Sequence, residues 1–286
     1  MFAVMGVTGQ VGGGAAAALL DAGKRVRAVV RDRAKGEAWA VRGCEVAVAE
    51  TEDVAALTAA FEGVEAAYVM LPPTYDPSED FAEVRAKIEA LVGALKASQV
   101  RHVVALSTVG GQVDRFNLLQ TLHWFEEALA TLPMPVTVLR AAWFLENAAW
   151  DVAPTRGQGV MPSYLQPLER AVPMVSAEDV GRTAAALLME GDAAPRVVEL
   201  EGPAEVSPNG LAAAFAEVLG KPVRAEAVAR EGWEREFVAA GMKNPAPRIA
   251  MLDGFNEGWI SFEGGGVERR KGSTDVRAVV RKLVSR

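Results

Sequence analysis

The chain has 286 residues, half of them hydrophobic and 23% charged, a balance that excludes intrinsic disorder and suits one large α/β domain or two smaller ones. Its net charge of −7 argues against nucleic-acid and anionic-membrane partners, whose phosphates require clustered Lys and Arg. A single cysteine, Cys44, rules out an internal disulfide, and with only His102 and His123 beside it no metal site is expected.

Apolar blocks short enough for buried strands recur at residues 2–5, 26–30, 46–48, 66–71, 102–106 and 136–139. Stretches with helical spacing at 14–22, 53–61, 78–98 and 116–132 lie between them. This alternation predicts α/β architecture: a doubly wound, Rossmann-like parallel sheet covered by helices on both faces. Cys44 begins the third strand block, where a structural role is expected.

Past residue 150 the pattern loosens, with Pro154, Gly157, Gly159, Pro162 and Pro167 marking an excursion from the sheet. Ser176-Ala177-Glu178-Asp179 then opens a helix that runs through Met189, and 196–200 reads as a returning strand. Ser207-Pro208 announces another helix, ended by Gly220. Residues 223–228 read as a strand, and 233–240 and 249–260 as helices. Residues 1–150 and 171–202 are expected to form a dinucleotide-binding domain, and 151–170 with 203–286 a smaller, mainly helical substrate domain over the sheet's carboxyl edge. No leader and no apolar run of membrane-spanning length is visible, so a cytoplasmic location is expected.

Between the first strand and the first helix lies Gly6-Val7-Thr8-Gly9-Gln10-Val11-Gly12. Glycines permit a sharp turn, a close approach of backbone to a pyrophosphate, and free amides at the helix start. The spacing is GxxGxxG, one residue longer than the commonest fingerprint, and a ligand-free tight turn is the plain alternative. The second strand ends in Arg31, where an NAD-preferring protein places an acidic residue for the ribose hydroxyls. Arg31, with Arg33 and Lys35, could meet a 2′-phosphate, so NADP(H) is preferred; NAD(H) use and a solvated charge cluster stay open.

These pieces resemble the NmrA-like branch of the atypical short-chain dehydrogenase/reductase superfamily, which includes quinone-reductase-like and triphenylmethane-reductase-like enzymes. The resemblance rests on the glycine turn, Val29-Val30-Arg31-Asp32, Tyr68 to Pro73, His102 to Gly110, His123 to Leu129, Leu139 to Asn147, and Val175 to Val180. It implies that Thr8, Gly9, Gln10 and Val11 follow the pyrophosphate and that Arg31 and Lys35 lie near the 2′-phosphate. It further implies that Leu71, Pro72 and Pro73 border the nicotinamide ribose, and that Trp143, Phe144 and Asn147 flank the nicotinamide. The chain departs from the family at Ala49-Glu50-Thr51, where an aspartate near the adenine is usual, and at Ala141, where proline is common.

The wider superfamily uses Tyr-x-x-x-Lys, a phenol whose proton is made available by a lysine one helical turn away. If Glu127 matches that helix's familiar acidic residue, His123 stands in the lysine position and Leu119 in the tyrosine position. Leucine donates no proton. Two functions stay open: hydride transfer to a quinone-like or other conjugated electrophile, which needs no strong acid, or non-catalytic sensing of NADP(H). A sugar-nucleotide epimerase is disfavoured by the missing pair. His123 is the one candidate for orienting the ribose or donating a proton, against a purely local hydrogen bond. Ser107 and Thr108 sit at a strand end facing the expected cleft. Tyr75, Phe116, Phe144 and Trp233, with Trp143 and Trp150 nearby, suit a flat apolar or aromatic acceptor, with core packing as the alternative for each. Either a monomer or a homodimer is compatible with the sequence.

Overall fold

The computed structural model describes residues 1–191 and 196–285. The first half alternates regularly: β1 (Phe2–Met5), α1 (Gln10–Asp21), β2 (Val26–Val30), α2 (Arg33–Val41), β3 (Glu45–Val48), α3 (Val54–Phe61) and β4 (Ala66–Val69). It continues through α4 (Ala82–Ser98), β5 (His102–Thr108), α5 (Gln120–Leu129) and β6 (Val136–Ala141). After β7 (Trp143–Phe144) come a 3-10 segment (Leu145–Asp151), α6 (Val152–Gln158), β8 (Val160–Ser163), β9 (Met174–Val175), α7 (Ala177–Met189) and β10 (Arg196–Glu201). The chain ends with α8 (Pro208–Leu219), β11 (Arg224–Ala227), α9 (Trp233–Ala239), α10 (Ala246–Glu257), β12 (Glu268–Lys271) and α11 (Val276–Val284).

Eight strands form one parallel sheet in the order β12-β10-β6-β5-β4-β1-β2-β3. The order reverses between β1 and β4, which opens a crevice outside the strands' carboxyl ends where such sheets bind ligands. Both faces are covered, so β1 and β4 are buried along their whole length. On one face α1 and α7 contribute Ala15, Leu19, Val180 and Ala184. On the other, α3, α4 and α5 contribute Leu57, Phe61, Leu91, Leu95 and Phe125.

Helices α1 and α7 touch through their backbones. A Cβ at Gly181 would lie 2.7 Å from the Val11 carbonyl oxygen and 2.9 Å from the Ala15 nitrogen, so only glycine fits this crossing. Ser176 caps α7 through the Asp179 amide, as its sequence pattern predicts, and Ser207 caps α8 through the Gly210 amide.

A separate core, built around Met161, Phe215, Trp233, Phe237, Phe255 and Val280, joins α8 to α11 and the 3-10 segment. Several elements differ from the sequence reading. Residues 268–271, placed in the smaller unit by sequence, form the outermost strand of the main sheet. That strand, Glu-Arg-Arg-Lys, has no apolar alternation and is held by ion pairs: Arg196 to Glu268 at 3.0 Å, Arg269 to Glu199 at 3.1 Å and Lys271 to Glu201 at 3.6 Å. Helix α2 buries only Gly36, leaving little apolar signal, and α6 carries its proline in the first turn, where proline is tolerated. Helix α5 begins at Gln120 because Asn117 closes a turn before it, its side-chain oxygen accepting from the Leu119 amide at 2.7 Å.

Candidate active site

The turn between β1 and α1 is shaped by its glycines. Gly6 has φ +65°, and a Cβ there would stand 2.8 Å from Met70 Sδ. The Gly9 amide donates to the Gly6 carbonyl at 2.9 Å. At Gly12 a Cβ would lie 2.4 Å from both the Met5 and Gly6 carbonyl oxygens, so the helix start is pressed against the strand end. Gly9 is the N-cap of α1, and no side chain caps the helix. Its leading amides therefore face outward beside exposed Thr8, Gly9 and Gln10, with Val11 and Gly12 buried beneath. The cradle is one that any side chain would fill, and it fits the pyrophosphate of a dinucleotide.

At the end of β2, Arg31, Arg33 and Lys35 are exposed and make no ion pair or side-chain hydrogen bond among the described residues. By contrast, Arg27 on the same strand is paired with Glu45 at 2.6 Å. Asp32 lies between the free cations but is spent on capping α2, accepting from the Ala34 amide at 3.0 Å. Three unneutralised cations beside the glycine turn match the charge of a 2′-phosphate.

Beyond β4, Leu71 is buried, Pro72 half-buried and Pro73 exposed, and the adjoining Met70 reaches Gly6. Trp143 and Phe144 are half-buried on β7; the Trp143 ring meets Phe255 edge-on at 5.0 Å and so joins the sheet edge to the separate core. Asn147 is exposed on the 3-10 segment. Tyr75 is 66% exposed, and Phe116, 50% exposed, meets Phe81 edge-on at 6.4 Å. Trp233 departs from its sequence assignment as an acceptor contact. It is 1% exposed, its indole N–H donates to the Val228 carbonyl at 2.9 Å, and it packs with Tyr164 inside the separate core. The one-turn spacing of Trp233 and Phe237 turns both rings inward.

Helix α5, which carries the expected candidate His123, is held by local contacts. His123 Nδ1 lies 3.0 Å from the Gly111 carbonyl, and its Nε2 stands 3.7 Å from Glu127. Leu119 precedes α5 and packs on the separate core, while the Leu118 amide donates to the Pro247 carbonyl at 2.8 Å. Ser107, 4% exposed, gives its hydroxyl proton to the Glu126 carboxylate instead of presenting it to the cleft.

Glu126 belongs to a charged network that sequence reading missed. Arg140, 5% exposed, donates from Nε to Glu126 Oε1 at 3.0 Å and from its two terminal nitrogens to Glu126 Oε2 at 2.6 Å and Glu263 Oε2 at 2.5 Å. The Glu263 amide in turn donates to Glu199 Oε1 at 2.6 Å, and Glu199 is fully buried. Burial opposes the Arg140 charge, but the carboxylates of Glu126 and Glu263 outweigh it and hold the guanidinium above its ordinary pKa. The available signal was Arg140 itself, a cation in an otherwise apolar strand that demands a partner.

A second unforeseen group is Asp151, at the end of the 3-10 segment, whose carboxyl burial pushes up to about 7. It neighbours Tyr164, pushed up to about 12 by burial and by its hydrogen bond to Glu236 at 2.9 Å. Among the described residues no group of three or more His, Cys, Asp or Glu could hold a metal ion, and no helix is long and apolar enough to cross a membrane.

The NmrA-like family model matches residues 1–247. The chain is 26% identical over 261 residues to the NAD(P)H azoreductase of Xenophilus azovorans, covering 90% of this chain and 85% of that protein. It is 30% identical over 252 residues to a (4-alkanoyl-5-oxo-2,5-dihydrofuran-3-yl)methyl phosphate reductase of Streptomyces griseus, covering 86% and 83%. Its fold superposes with a TM-score of 0.81 on the NADPH-dependent quinone oxidoreductase of Escherichia coli in complex with NADPH, at 22% identity and with 99% of each chain covered.

Proposed function

The chain belongs to the NmrA-like family, and from that premise we propose that it is an NADP(H)-dependent oxidoreductase acting on a quinone-like or other conjugated electrophile. The observation that carries this reading is the pairing of the glycine cradle with three unneutralised cations, Arg31, Arg33 and Lys35, one strand away. The azoreductase and the lactone phosphate reductase, matched over most of their length, support the same reading.

A bound dihydronicotinamide would supply the hydride. The residues of this chain bind and position. Amides at the start of α1 hold the pyrophosphate, Arg31 and Lys35 grip the 2′-phosphate, and Leu71 with Pro72 support the ribose. Trp143 and Phe144 close the nicotinamide side and exclude water. Leu119 brings no proton to this surface, and the His123 ring is tied to Gly111. An electrophile that spreads incoming charge over a conjugated system and takes its proton from solvent is therefore the substrate class that suits the site. A simple aldehyde or ketone, which needs a proton as hydride arrives, is not.

A panel of quinones, azo compounds and cationic dyes, followed by NADPH oxidation, tests the proposal. Turnover of at least one conjugated acceptor is expected, with none for simple aldehydes or ketones. Tight NADPH binding without turnover of any acceptor would overturn it in favour of an NADP(H)-sensing role, which Leu119 at the usual tyrosine position favours.

A further inference from the structure

The loop from β4 to α4 leaves the sheet beside the glycine turn, with Met70 against Gly6, and then crosses to a distant part of the chain. There the Asp76 carboxylate accepts the Lys243 amide at 3.1 and 3.0 Å and the Asn244 amide at 2.8 Å. The Asn244 side chain returns a hydrogen bond to the Pro77 carbonyl at 3.0 Å. Lys243 is 167 residues from Asp76 and belongs to the turn between α9 and α10.

Little else fastens this crossing. Tyr75 and Asp76 are exposed, and Pro77 is the one buried residue between Tyr75 and Asp80. A carboxylate shared by two consecutive amides is a strong, directional contact that can open without disturbing a core. On the other side of the same helical unit, the β5–α5 loop is tied down by the Leu118 amide to Pro247 and by Gln112 Nε2 to the Ser261 carbonyl at 2.9 Å. Phe116 of that loop meets Phe81, at the end of the first loop. Two loops from the carboxyl edge thus converge on one helical unit, and each leaves a large aromatic side chain exposed, Tyr75 on one and Phe116 on the other.

We infer that Asp76 is a specificity-determining residue: it fastens a strap across the acceptor side of the cleft, and its grip on the 243–244 turn limits the size of the acceptor admitted. The inference rests on the proposed reductase reading. Asp76 positions the strap and takes no part in the chemistry.

The test compares wild type, Asp76→Ala and Asp76→Asn as full-length protein in two independent measurements. Amide hydrogen exchange over 241–246 reads the strap directly: the Ala variant is expected to exchange about tenfold faster there, and the Asn variant, which keeps one accepting oxygen, to recover part of the protection. Acceptor selectivity is read as binding of a monocyclic and a polycyclic quinone to the NADP⁺-loaded protein, so that no turnover is needed. The Ala variant is expected to shift the ratio several-fold toward the polycyclic ligand with NADP⁺ affinity unchanged. Unchanged exchange at 241–246 overturns the strap, and faster exchange with an unchanged ratio overturns the size limit. Failure of the reductase reading shows separately, as absence of NADPH turnover in the wild type.

Discussion

Replacing Asp151 by Asn isolates the cost of holding a carboxyl group where no donor reaches it. Among the described residues its carboxylate accepts no hydrogen bond and forms no ion pair, and burial pushes it up to about 7 from the ordinary 3.8. Because the folded-state pKa is raised, the acid form is the one the fold prefers. The associated stability is complete below about pH 4 and is lost as pH rises through about 7. Between pH 5.5 and 8.5 the loss spans about 1.5 pH units, or about 2 kcal/mol at 1.36 kcal/mol per unit. Tyr164, an ionisable neighbour, stays neutral across that window because its phenol is pushed up to about 12. Asparagine cannot ionise, so the variant escapes the loss. Urea unfolding of both proteins at the two pH values checks this, since titrations elsewhere cancel in the difference. The variant should gain about 2 kcal/mol on wild type between pH 5.5 and 8.5. A stability gap that does not change with pH would refute the account of Asp151 as a desolvated carboxyl.

Arg31→Ala should weaken NADPH binding by about tenfold or more while barely changing NADH binding, because the guanidinium is assigned to the 2′-phosphate; equal losses in fluorescence titrations of the two cofactors would contradict the assignment. Gly12→Ala should abolish binding of either cofactor and lower the melting temperature, since the new methyl would stand 2.4 Å from two carbonyl oxygens; retention of wild-type affinity would refute the cradle geometry. Arg140→Met leaves Glu126 and Glu263 without their cation and should destabilise the fold by about 3 kcal/mol. Adding Glu126→Gln should restore part of that loss in chemical denaturation, and purely additive costs would show that the network is not coupled.

The alternating half of the fold was legible because each of its elements carries its own signal. Strands β1 and β2 begin and end where the apolar runs do, and Ser176, Ser207 and Gly220 punctuate α7 and α8 as their chemistry requires. Helix α1 was read as beginning at residue 14 because Gly12 and Gly13 look like loop. The structure starts it at Gln10, since those glycines allow the helix to press against the strand end. Strand β12 could not be read at all. Its residues are charged, and what makes them a strand is the row of carboxylates on β10 and just past α7 that receives them.

The same division runs through the candidate site. The proposed cofactor half is local: a strand, a seven-residue turn, a helix and the cations after the next strand lie within the first 35 residues, so spacing alone marks it as a candidate. The proposed acceptor half is assembled across long stretches of chain. Asp76 meets Lys243 and Asn244, Leu118 meets Pro247, and Arg140 meets Glu263, none of them pairs that any periodicity marks. Trp233 shows the cost of reading that half from composition, because an aromatic residue in a segment expected at the cleft is instead the centre of a core. Each of these long contacts joins the carboxyl edge of the sheet to the helical unit formed by the last third of the chain. On the proposed reading, acceptor selectivity depends on how firmly that unit is tied to the edge, and can change through Asp76 while the glycine turn and Arg31 stay as they are.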